Sequence, residues 1–281
     1  MRAADALERG LSFVDAHARR HGDAPIAALA PLFARVLLGA APAAEALERV
    51  AQQRCADGSF APLGLTAAGA PGFETLSAPV VGVLESLVVS ADLGGLRGPV
   101  ADAAARYCEQ VQLADGSWGD PVAPGEPSGR IFATGMIAGL LGRSPAVRPH
   151  LFERAGRFLG ELWAPERVEG GNWPALAAFG TFFSNVPHDL ADEAMQWCGR
   201  ELERGFLTGR FEASACVRVL LHCDALALPG SGLAPSALLA RLLDEQAADG
   251  GFAELAAGGP AARIVPSLDA MHGIIRLCQA P

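Results

Sequence analysis

Three carboxyl side chains lie where apolar helices are expected to begin, and they are the residues best suited to acid chemistry. Glu74, Glu212 and Asp269 each stand at or near the start of a mainly apolar stretch. Burial in an apolar cavity disfavours the charged carboxylate, so such an acid can stay neutral and donate a proton. His272 follows Asp269 by three residues, on nearly the same helix face, where an imidazole could orient or reload the acid. The alternatives are helix capping for each carboxyl and a hydrogen-bonded core histidine for His272.

Aromatic side chains could wall such a cavity, because an aromatic face attracts a cation by roughly 0.5 to 2 kcal/mol. The candidate substrate-binding residues are aromatic, except for a serine two residues before Asp269: Phe73, Trp118, Phe132, Phe179, Phe182, Phe183, Phe211 and Ser267. An aromatic stripe at helical spacing is also what an ordinary core contains. The chain has only one Tyr and four Trp, so a small cavity and a short substrate fit better than a long polyene.

Twelve predicted helices supply the positions of these residues. Six are amphipathic, with one face towards water, and they alternate with six that are apolar on most sides and therefore buried. The amphipathic segments are 3–21, 43–55, 98–113, 147–163, 187–205 and 235–247. The apolar segments are 25–39, 74–91, 129–142, 174–185, 212–227 and 267–279. Six outer and six inner helices predict an all-α, single-domain α6/α6 toroid over residues 1–281, with an open α-solenoid as the alternative.

A short repeated unit connects predicted outer helices to inner ones. It is most complete at residues 112–118, QLADGSW, and 246–252, QAADGGF; a longer copy occupies 53–60, and partial copies occupy 170–173 and 208–211. Its Gln, near a helix end, can donate to carbonyls that lack a partner. Its Asp bonds nearby backbone, and its Gly takes a left-handed conformation at little cost. The aromatic residue then packs against the next repeat, so the unit indicates a repeat architecture.

The unit resembles the glutamine-tryptophan repeat of the squalene–hopene cyclase, oxidosqualene cyclase and protein prenyltransferase β-subunit superfamily. The resemblance spans about residues 45 to 281 and implies an α/α toroid around a central cavity. The stretch 266–270 resembles the region of the catalytic Asp-x-Asp-Asp motif of class II terpene cyclases, with Ser267, Asp269 and Ala270 at the three Asp positions. The middle Asp is the proton donor in squalene–hopene cyclases, so the resemblance implies that role for Asp269. Two of the three carboxyls are absent, which leaves a lost catalytic function open.

Zinc is the remaining chemical alternative. Protein prenyltransferase β-subunits hold zinc with Asp, Cys and His, and the lanthionine cyclases, on a similar toroid, use Cys, Cys and His. These ligand types occur at residues 197–199, 222–224 and 271–273, without the spacing of either family. The sequence contains no phosphate-binding loop and no Asp-rich magnesium motif. It therefore predicts no metal and no other cofactor.

The composition excludes several classes of partner. Apolar residues make up 51% of the chain and charged residues 19%, so a large core can form, and the net charge of −9 disfavours a nucleic-acid partner. No apolar run reaches the roughly 20 residues that span a bilayer, and the N-terminus does not resemble a signal peptide. Six scattered cysteines without a Cys-x-x-Cys pattern indicate reduced thiols and a cytoplasmic location. Peripheral membrane contact and the oligomeric state stay open.

These features together predict a class II-type terpene cyclase that protonates and cyclises a short prenyl chain, free or attached to an aromatic or polar head group. The expected partner is a small-molecule isoprenoid substrate. Asp269 is the expected acid and His272 its partner, with Glu212 and Glu74 as the rival acids. The alternative from a different class is a non-catalytic toroid that binds an isoprenoid or a partner protein. A zinc-dependent enzyme similar to the prenyltransferases or the lanthionine cyclases comes third.

Overall fold

Twelve α-helices make up most of the chain in the computed structural model, which describes residues 2–19, 25–65, 76–119, 128–145, 149–252 and 260–279. In chain order they are α1 (Ala3–Ala18), α2 (Pro25–Leu37), α3 (Ala43–Ala51), α4 (Ala78–Asp92), α5 (Pro99–Val111), α6 (Ser128–Gly142), α7 (Pro149–Leu162), α8 (Trp173–Asn185), α9 (Ala191–Leu207), α10 (Ala213–His222), α11 (Pro235–Asp244) and α12 (Ile264–Cys278). Short 3₁₀ segments at Pro165–Arg167, Glu169–Gly171 and Pro260–Arg263 precede α8 and α12. The described residues form no β-strand, and one isolated β-bridge joins Arg54 to Phe60.

The all-α prediction is confirmed over the described residues, and each predicted helix has one counterpart. Two of the boundaries matter for the site. α10 ends at His222 rather than at 227. Two residues later, Asp224 has a φ of 52°, in the left-handed region, which is incompatible with a right-handed α-helix. α12 begins at Ile264 rather than at 267. Pro266 thus falls in its first turn, where the missing N–H has no helical partner to lose.

Burial separates the helices into the two predicted types. In α6 every residue from Ile131 to Leu141 is buried. By contrast, α3 buries only Ala46 and Val50, and α11 only Leu238 and Leu242, in each case on one face. The apolar helices therefore form the core and the amphipathic helices cover it. Within the described residues, no helix combines the length and the hydropathy that crossing a membrane requires.

The apolar helices pack against one another in chain order from α4 to α12. Contact is most extensive between α6 and α8, because glycines of α6 meet the α8 backbone. A Cβ on Gly135 would lie 2.5 Å from the Ala178 carbonyl oxygen, and one on Gly139 would lie 2.4 Å from that of Thr181. α12 also contacts α2, and α1 packs against both α2 and α12. The first and last helices of the chain are therefore neighbours.

The two complete turn units make the same hydrogen bonds to outer helices. Gln112 donates from Nε2 to the carbonyl of Leu151 in α7 at 3.1 Å. Gln246 donates from Nε2 to the carbonyl of Ala6 in α1 at 2.8 Å. Each amide also donates to the carbonyl of the first glycine in its own turn, at 2.9 Å in both cases. The unit after α5 is thus tied to α7 as the unit after α11 is tied to α1.

The aromatic end of each unit is joined to the next inner helix. The backbone N–H of Trp118 donates to Oγ1 of Thr134 in α6 at 3.0 Å, and that of Phe252 donates to Oγ of Ser267 in α12 at 3.0 Å. Both rings are 1% exposed, which confirms their predicted burial. Nε1 of Trp118 also donates to the Cys108 carbonyl at 2.8 Å. Each unit therefore fixes one inner helix against its outer neighbours.

An arginine that the sequence analysis did not single out completes each unit. Arg130 pairs with Asp115, and Arg263 pairs with Asp249 at 2.7 Å. Each guanidinium also lies over a phenylalanine ring of an outer helix, Phe158 in α7 at 5.1 Å and Phe13 in α1 at 4.9 Å from the ring centroid. The repeat is therefore larger than its short sequence signature, because it includes a residue at the start of each inner helix.

Candidate functional site

A cavity of about 540 Å³ lies between the apolar helices. Most of its wall is apolar, with contributions from α2, α4, α6, α8, α10 and α12: Phe33, Leu65, Leu84, Val88, Phe132, Met136, Trp173, Ala215, Ala262, Val265, Pro266 and Leu268. Polar side chains also reach the wall: Glu85, Asp92, Glu212, Arg218, His222 and Asp269. Small-molecule sites typically have volumes of about 300 to 1,000 Å³, so this cavity is the candidate site.

The polar side chains concentrate where two of the inner helices end. Asp92 is the last residue of α4 and His222 the last of α10, and Arg218 lies one turn before His222. We call Asp92, Arg218, His222 and Asp269 the floor of the cavity. Glu212 directly precedes α10, so it lies about 15 Å from the helix end at the usual rise of 1.5 Å per residue. The cavity is therefore polar at its floor and mainly apolar elsewhere.

Arg218 lies between two carboxylates of the floor. Its Nη1 donates to Oδ2 of Asp92 at 2.8 Å, and its Nη2 pairs with Oδ1 of Asp269. These side chains are nearly out of solvent, with exposures of 9% for Arg218, 3% for Asp92 and 10% for Asp269. On the other side of Asp92, Nδ1 of His272 lies 3.4 Å from Oδ1. Asp92, Arg218, Asp269 and His272 form one network, which we call the floor network.

The charges of the floor network can be buried beside an apolar wall because they are paired with one another. Burial alone would raise the pKa of Asp92, but the Arg218 guanidinium and the His272 imidazole outweigh it and hold this pKa well below its usual range. A guanidinium in direct contact likewise stabilises the charged form of Asp269. Removing one partner from a buried ion pair typically costs about 3 to 5 kcal/mol. Arg218 is therefore the residue on which the other floor charges depend.

Asp269 lies in the second turn of α12, whereas the sequence predicted the first turn, because the helix begins at Ile264. Ser267, predicted to bind substrate, bonds the protein backbone instead. Its Oγ donates to the Arg263 carbonyl at 2.6 Å and accepts the N–H of the turn unit's aromatic residue. The capping interpretation of Asp269 is therefore wrong, and its carboxyl lines the cavity. The expected apolar surroundings of this carboxyl are also corrected, since Arg218 contacts it.

The other carboxyls are placed differently. Glu212 lines the cavity away from the floor, is exposed, and makes no capping hydrogen bond to α10. Glu74 lies outside the described residues. Glu85 of α4, which the sequence analysis missed, accepts the N–H of Leu63 at 2.5 Å and that of Gly64 at 3.1 Å. Glu85 therefore fastens the chain before α4 to the cavity wall.

The predicted substrate-binding aromatic residues separate into two groups. Phe132 lines the cavity. The three phenylalanines of α8 pack instead with one another and with Trp163 and His188: Phe179, Phe182 and Phe183. α8 is buried on most sides, so an aromatic face on it can turn towards α7 and α9 as readily as towards the cavity. These three residues are core residues in the structure.

The other predicted residues that the structure describes also lie away from the cavity wall. Trp118 packs between repeats, Ser267 joins its turn unit to α12, and Phe73 is outside the described residues. Phe211 lines a separate surface groove of about 1,000 Å³. That groove is larger than the cavity, but six of its ten lining residues are charged: Glu212, Arg241, Asp244, Glu245, Asp249 and Arg263. It suits solvent better than an apolar ligand, so the smaller cavity stays the candidate.

The two turn units place different residues at matching wall positions. Thr134 and Ser267 each accept the N–H of their unit's aromatic residue. Two residues further along each helix lie Met136 and Asp269, and both line the cavity. α6 therefore supplies a thioether where α12 supplies a carboxylate.

His222 lines the floor without a hydrogen-bond partner for its ring among the described residues. Its Nδ1 and Nε2 are both buried and unpaired there, and the residue is 3% exposed. Burial, with a smaller contribution from the Arg218 guanidinium, lowers the pKa of His222 well below its ordinary value. The imidazole is therefore neutral near pH 7, with one nitrogen a donor and the other an acceptor.

The predicted zinc-ligand types do not come together in the described part of the chain. These residues contain no group of three or more His, Cys, Asp or Glu side chains that could hold a metal ion. Burial raises the pKa of Cys223, beside His222, to about 12. Without a metal, this thiol is therefore protonated near pH 7.

The pattern of acids at helix starts did not predict Arg218, Asp92 or Glu85. These residues lie within their helices or at a helix end. A usable signal was present. Arg218 is the sole Asp, Glu, Lys or Arg of α10, and Glu85 and Asp92 are the only two such residues in α4. A charged residue within an apolar helix is rarely buried unless it is paired. Isolated charges on different inner helices could therefore have been matched with one another.

An apolar cavity with a buried and mutually paired set of charges can bind an amphiphilic small molecule, and it offers the Asp269 carboxyl for proton exchange. This geometry and the resemblance of the turn units are the two features of the chain that point to a function. The chain matches no protein-family model, no curated protein and no solved structure.

Proposed function

We propose that this protein binds a short isoprenoid, or an apolar molecule of similar size with one polar end, in the cavity between its inner helices. The observation that carries the proposal is the cavity itself, about 540 Å³ with a largely apolar wall and a polar floor. At roughly 30 Å³ for each water-sized group, this volume holds about 18 such groups. That is close to the number of carbon and oxygen atoms in farnesol.

The arrangement of helices that we propose around the cavity is a closed α6/α6 toroid. Gln246, after α11, donates to a carbonyl of α1, as Gln112, after α5, donates to a carbonyl of α7. This equivalence supports closure. An open solenoid would leave its terminal repeats without such partners. Small-angle X-ray scattering tests the arrangement: a compact chain of 281 residues has a radius of gyration of about 19 Å. A markedly larger value would favour the solenoid.

A second function, class II-type cyclisation, is favoured by the position of the Asp269 carboxyl in the cavity wall. A protonated Asp269 would transfer its proton to a terminal alkene: the O–H bond breaks, a C–H bond forms and a carbocation remains. Arg218 would stabilise the carboxylate that is left, and Phe132 and Trp173 could face the cation. However, Arg218 also favours that carboxylate before the reaction, which lowers the protonated fraction. Binding is therefore the first proposal and cyclisation the second.

Calorimetric titration of the purified protein with farnesol and geranylgeraniol tests the binding proposal. We expect farnesol to bind at one site and to raise the Tm, because a ligand of the folded state stabilises that state. Ala215→Phe, which adds bulk to the cavity wall, should weaken binding strongly. The matched control Leu207→Phe changes an exposed residue and should bind as the wild type does. No binding by the wild type would refute the proposal.

Product formation from farnesyl and geranylgeranyl substrates, free and aryl-linked, tests the second function. If the protein cyclises one of them, Asp269→Asn should abolish turnover, while Glu212→Gln and Glu74→Gln should retain it. Circular dichroism confirms that each variant is folded. Retained turnover in Asp269→Asn, with loss in either Glu variant, would move the acid to another helix. No cyclised product from any substrate would leave binding as the function.

A further inference from the structure

His222 has hydrogen-bonding capacity that the described residues do not use. Neither ring nitrogen has a hydrogen-bond partner among them, and the residue is 3% exposed. Leaving a buried donor and a buried acceptor unpaired is costly, so such groups usually meet a partner. The ring belongs to the cavity wall, so a bound molecule can supply that partner.

The polar neighbours of the ring are committed to other bonds. Arg218, one turn earlier on α10, has Nη1 and Nη2 engaged by Asp92 and Asp269. Asn185 approaches from α8, but its Nδ2 donates to the backbone carbonyl of His222 at 3.0 Å and not to the ring. The imidazole is therefore the floor group best placed to bond a ligand.

The chemistry of the ring and of its surroundings narrows the class of ligand. A neutral imidazole presents one donor and one acceptor, and a hydroxyl group is complementary to either nitrogen. An anionic head group is disfavoured, because four carboxyl residues share the cavity wall with one arginine: Glu85, Asp92, Glu212 and Asp269. A pure hydrocarbon would leave both ring nitrogens unpaired.

We infer that the cavity selects an isoprenoid alcohol over the matching hydrocarbon or diphosphate, with His222 bonding the hydroxyl group. The hydroxyl lies at the floor, and the hydrocarbon chain extends along the apolar wall towards Glu212. This inference rests on the proposed binding function and adds the class of head group to it. His222 acts here as a specificity-determining residue.

Titration with three probes that share one carbon chain tests the inference: farnesol, β-farnesene and farnesyl diphosphate. The wild type should bind farnesol about tenfold more tightly than β-farnesene, and farnesyl diphosphate more weakly than farnesol. His222→Phe should bind farnesol and β-farnesene within about twofold of each other, because no polar group remains to distinguish them. His222→Gln keeps a donor and an acceptor, so it should retain part of the preference. The control Leu207→Phe changes an exposed residue away from the cavity and should keep the wild-type ratio.

The outcomes separate this inference from the proposed function. A preference for farnesol that survives in His222→Phe would overturn the role of His222, while the binding function stands. Failure of the wild type to bind either farnesol or β-farnesene would refute the proposed function and this inference with it. If His222→Phe does not fold, the imidazole ¹⁵N signals of the wild type decide the matter. Farnesol should then shift the His222 signals more than β-farnesene does, and equal shifts would overturn the inference.

Discussion

The turn units at residues 112–118 and 246–252, each with the inner helix that follows it, are two copies of one structural element. Each copy begins with a turn unit and continues into an inner helix, α6 or α12. In both copies the glutamine donates to an outer helix, α7 or α1, and the aspartate accepts from its own turn. In both, a Thr or Ser of the inner helix accepts the aromatic residue's N–H. The scaffold of the two copies is therefore the same.

The cavity faces of the two copies differ in chemistry. α6 contributes Phe132 and Met136 to the wall, and α12 contributes Val265 and Asp269. One turn further, α12 carries His272 of the floor network. The turn unit positions the helix, whereas the wall residues make none of the bonds that define the unit. The comparison teaches that this repeat can change its chemistry at the wall without a change of fold.

The largest expected effect comes from the part that the two copies share. Trp118→Ala and Phe252→Ala should each lower the free energy of unfolding by about 3 to 5 kcal/mol, because both rings are fully buried. Chemical denaturation measures the loss. Trp118→Phe is the control, which keeps most of the volume and loses mainly the bond to the Cys108 carbonyl. A loss under about 1 kcal/mol in either alanine variant would mean that the unit does not fasten its repeat.

The second-largest loss of stability is expected at the cavity-wall position in which the two copies differ. Asp269→Asn should lower the free energy of unfolding by about 1.5 to 3 kcal/mol, because Arg218 loses one charged acceptor. The loss is smaller than for an unpaired buried charge, since Asn still accepts a hydrogen bond and Asp92 still pairs with Arg218. Met136→Leu, at the matching position, conserves volume and should cost less than about 1.5 kcal/mol. Urea denaturation of both variants gives the comparison. Equal losses would show that the two wall positions do not differ in the way we describe.

The floor network should also make stability depend on pH. The pKa of Asp92 is held well below its usual range in the folded protein, whereas it is about 3.9 in an unfolded chain. The stabilising contribution of Asp92 is therefore complete above about pH 4 and is lost as the pH falls through the folded-state pKa. Asp92→Asn should be about 2 kcal/mol less stable than the wild type at pH 7, with a smaller gap at pH 3.

Urea denaturation of the wild type, Asp92→Asn and Met136→Leu at both pH values measures this dependence. The gap between Met136→Leu and the wild type should stay constant, because methionine does not titrate. A gap for Asp92→Asn that is equally constant would contradict the ionised, paired state of Asp92.

The smallest expected effect tests whether the two copies have equivalent neighbours. Gln112→Ala and Gln246→Ala should each cost about 1 kcal/mol of unfolding free energy, since each removes hydrogen bonds to its turn and to an outer helix. Thermal and chemical denaturation together resolve a difference of this size. A measurable loss for Gln112→Ala with none for Gln246→Ala would mean that α1 is not held as α7 is. The proposed closure of the ring would then lose its main support.

The sequence by itself determined the helices and the turns. Twelve apolar or amphipathic stretches correspond to twelve helices because hydrophobic periodicity is a property of neighbouring residues. The turns were equally local: Gly116 and Gly250 have φ values of 92° and 90°, as the Asp-Gly step predicted. The start of α12 was misplaced by three residues, since the 3₁₀ segment before it and the position of Pro266 give no comparable local signal.

Only the tertiary structure decided what each inner-facing residue meets. The sequence drew attention to Asp269, but its partner Arg218 comes from α10 and is held in turn by Asp92 of α4, both distant in the chain. Helical periodicity relates residues within one helix, whereas the register between helices depends on close packing such as that of Gly135 against Ala178. The partner of a buried carboxyl depends on which helices pack around it. For that reason the sequence predicted an acid in a cavity, and the tertiary structure decided that this acid pairs with Arg218.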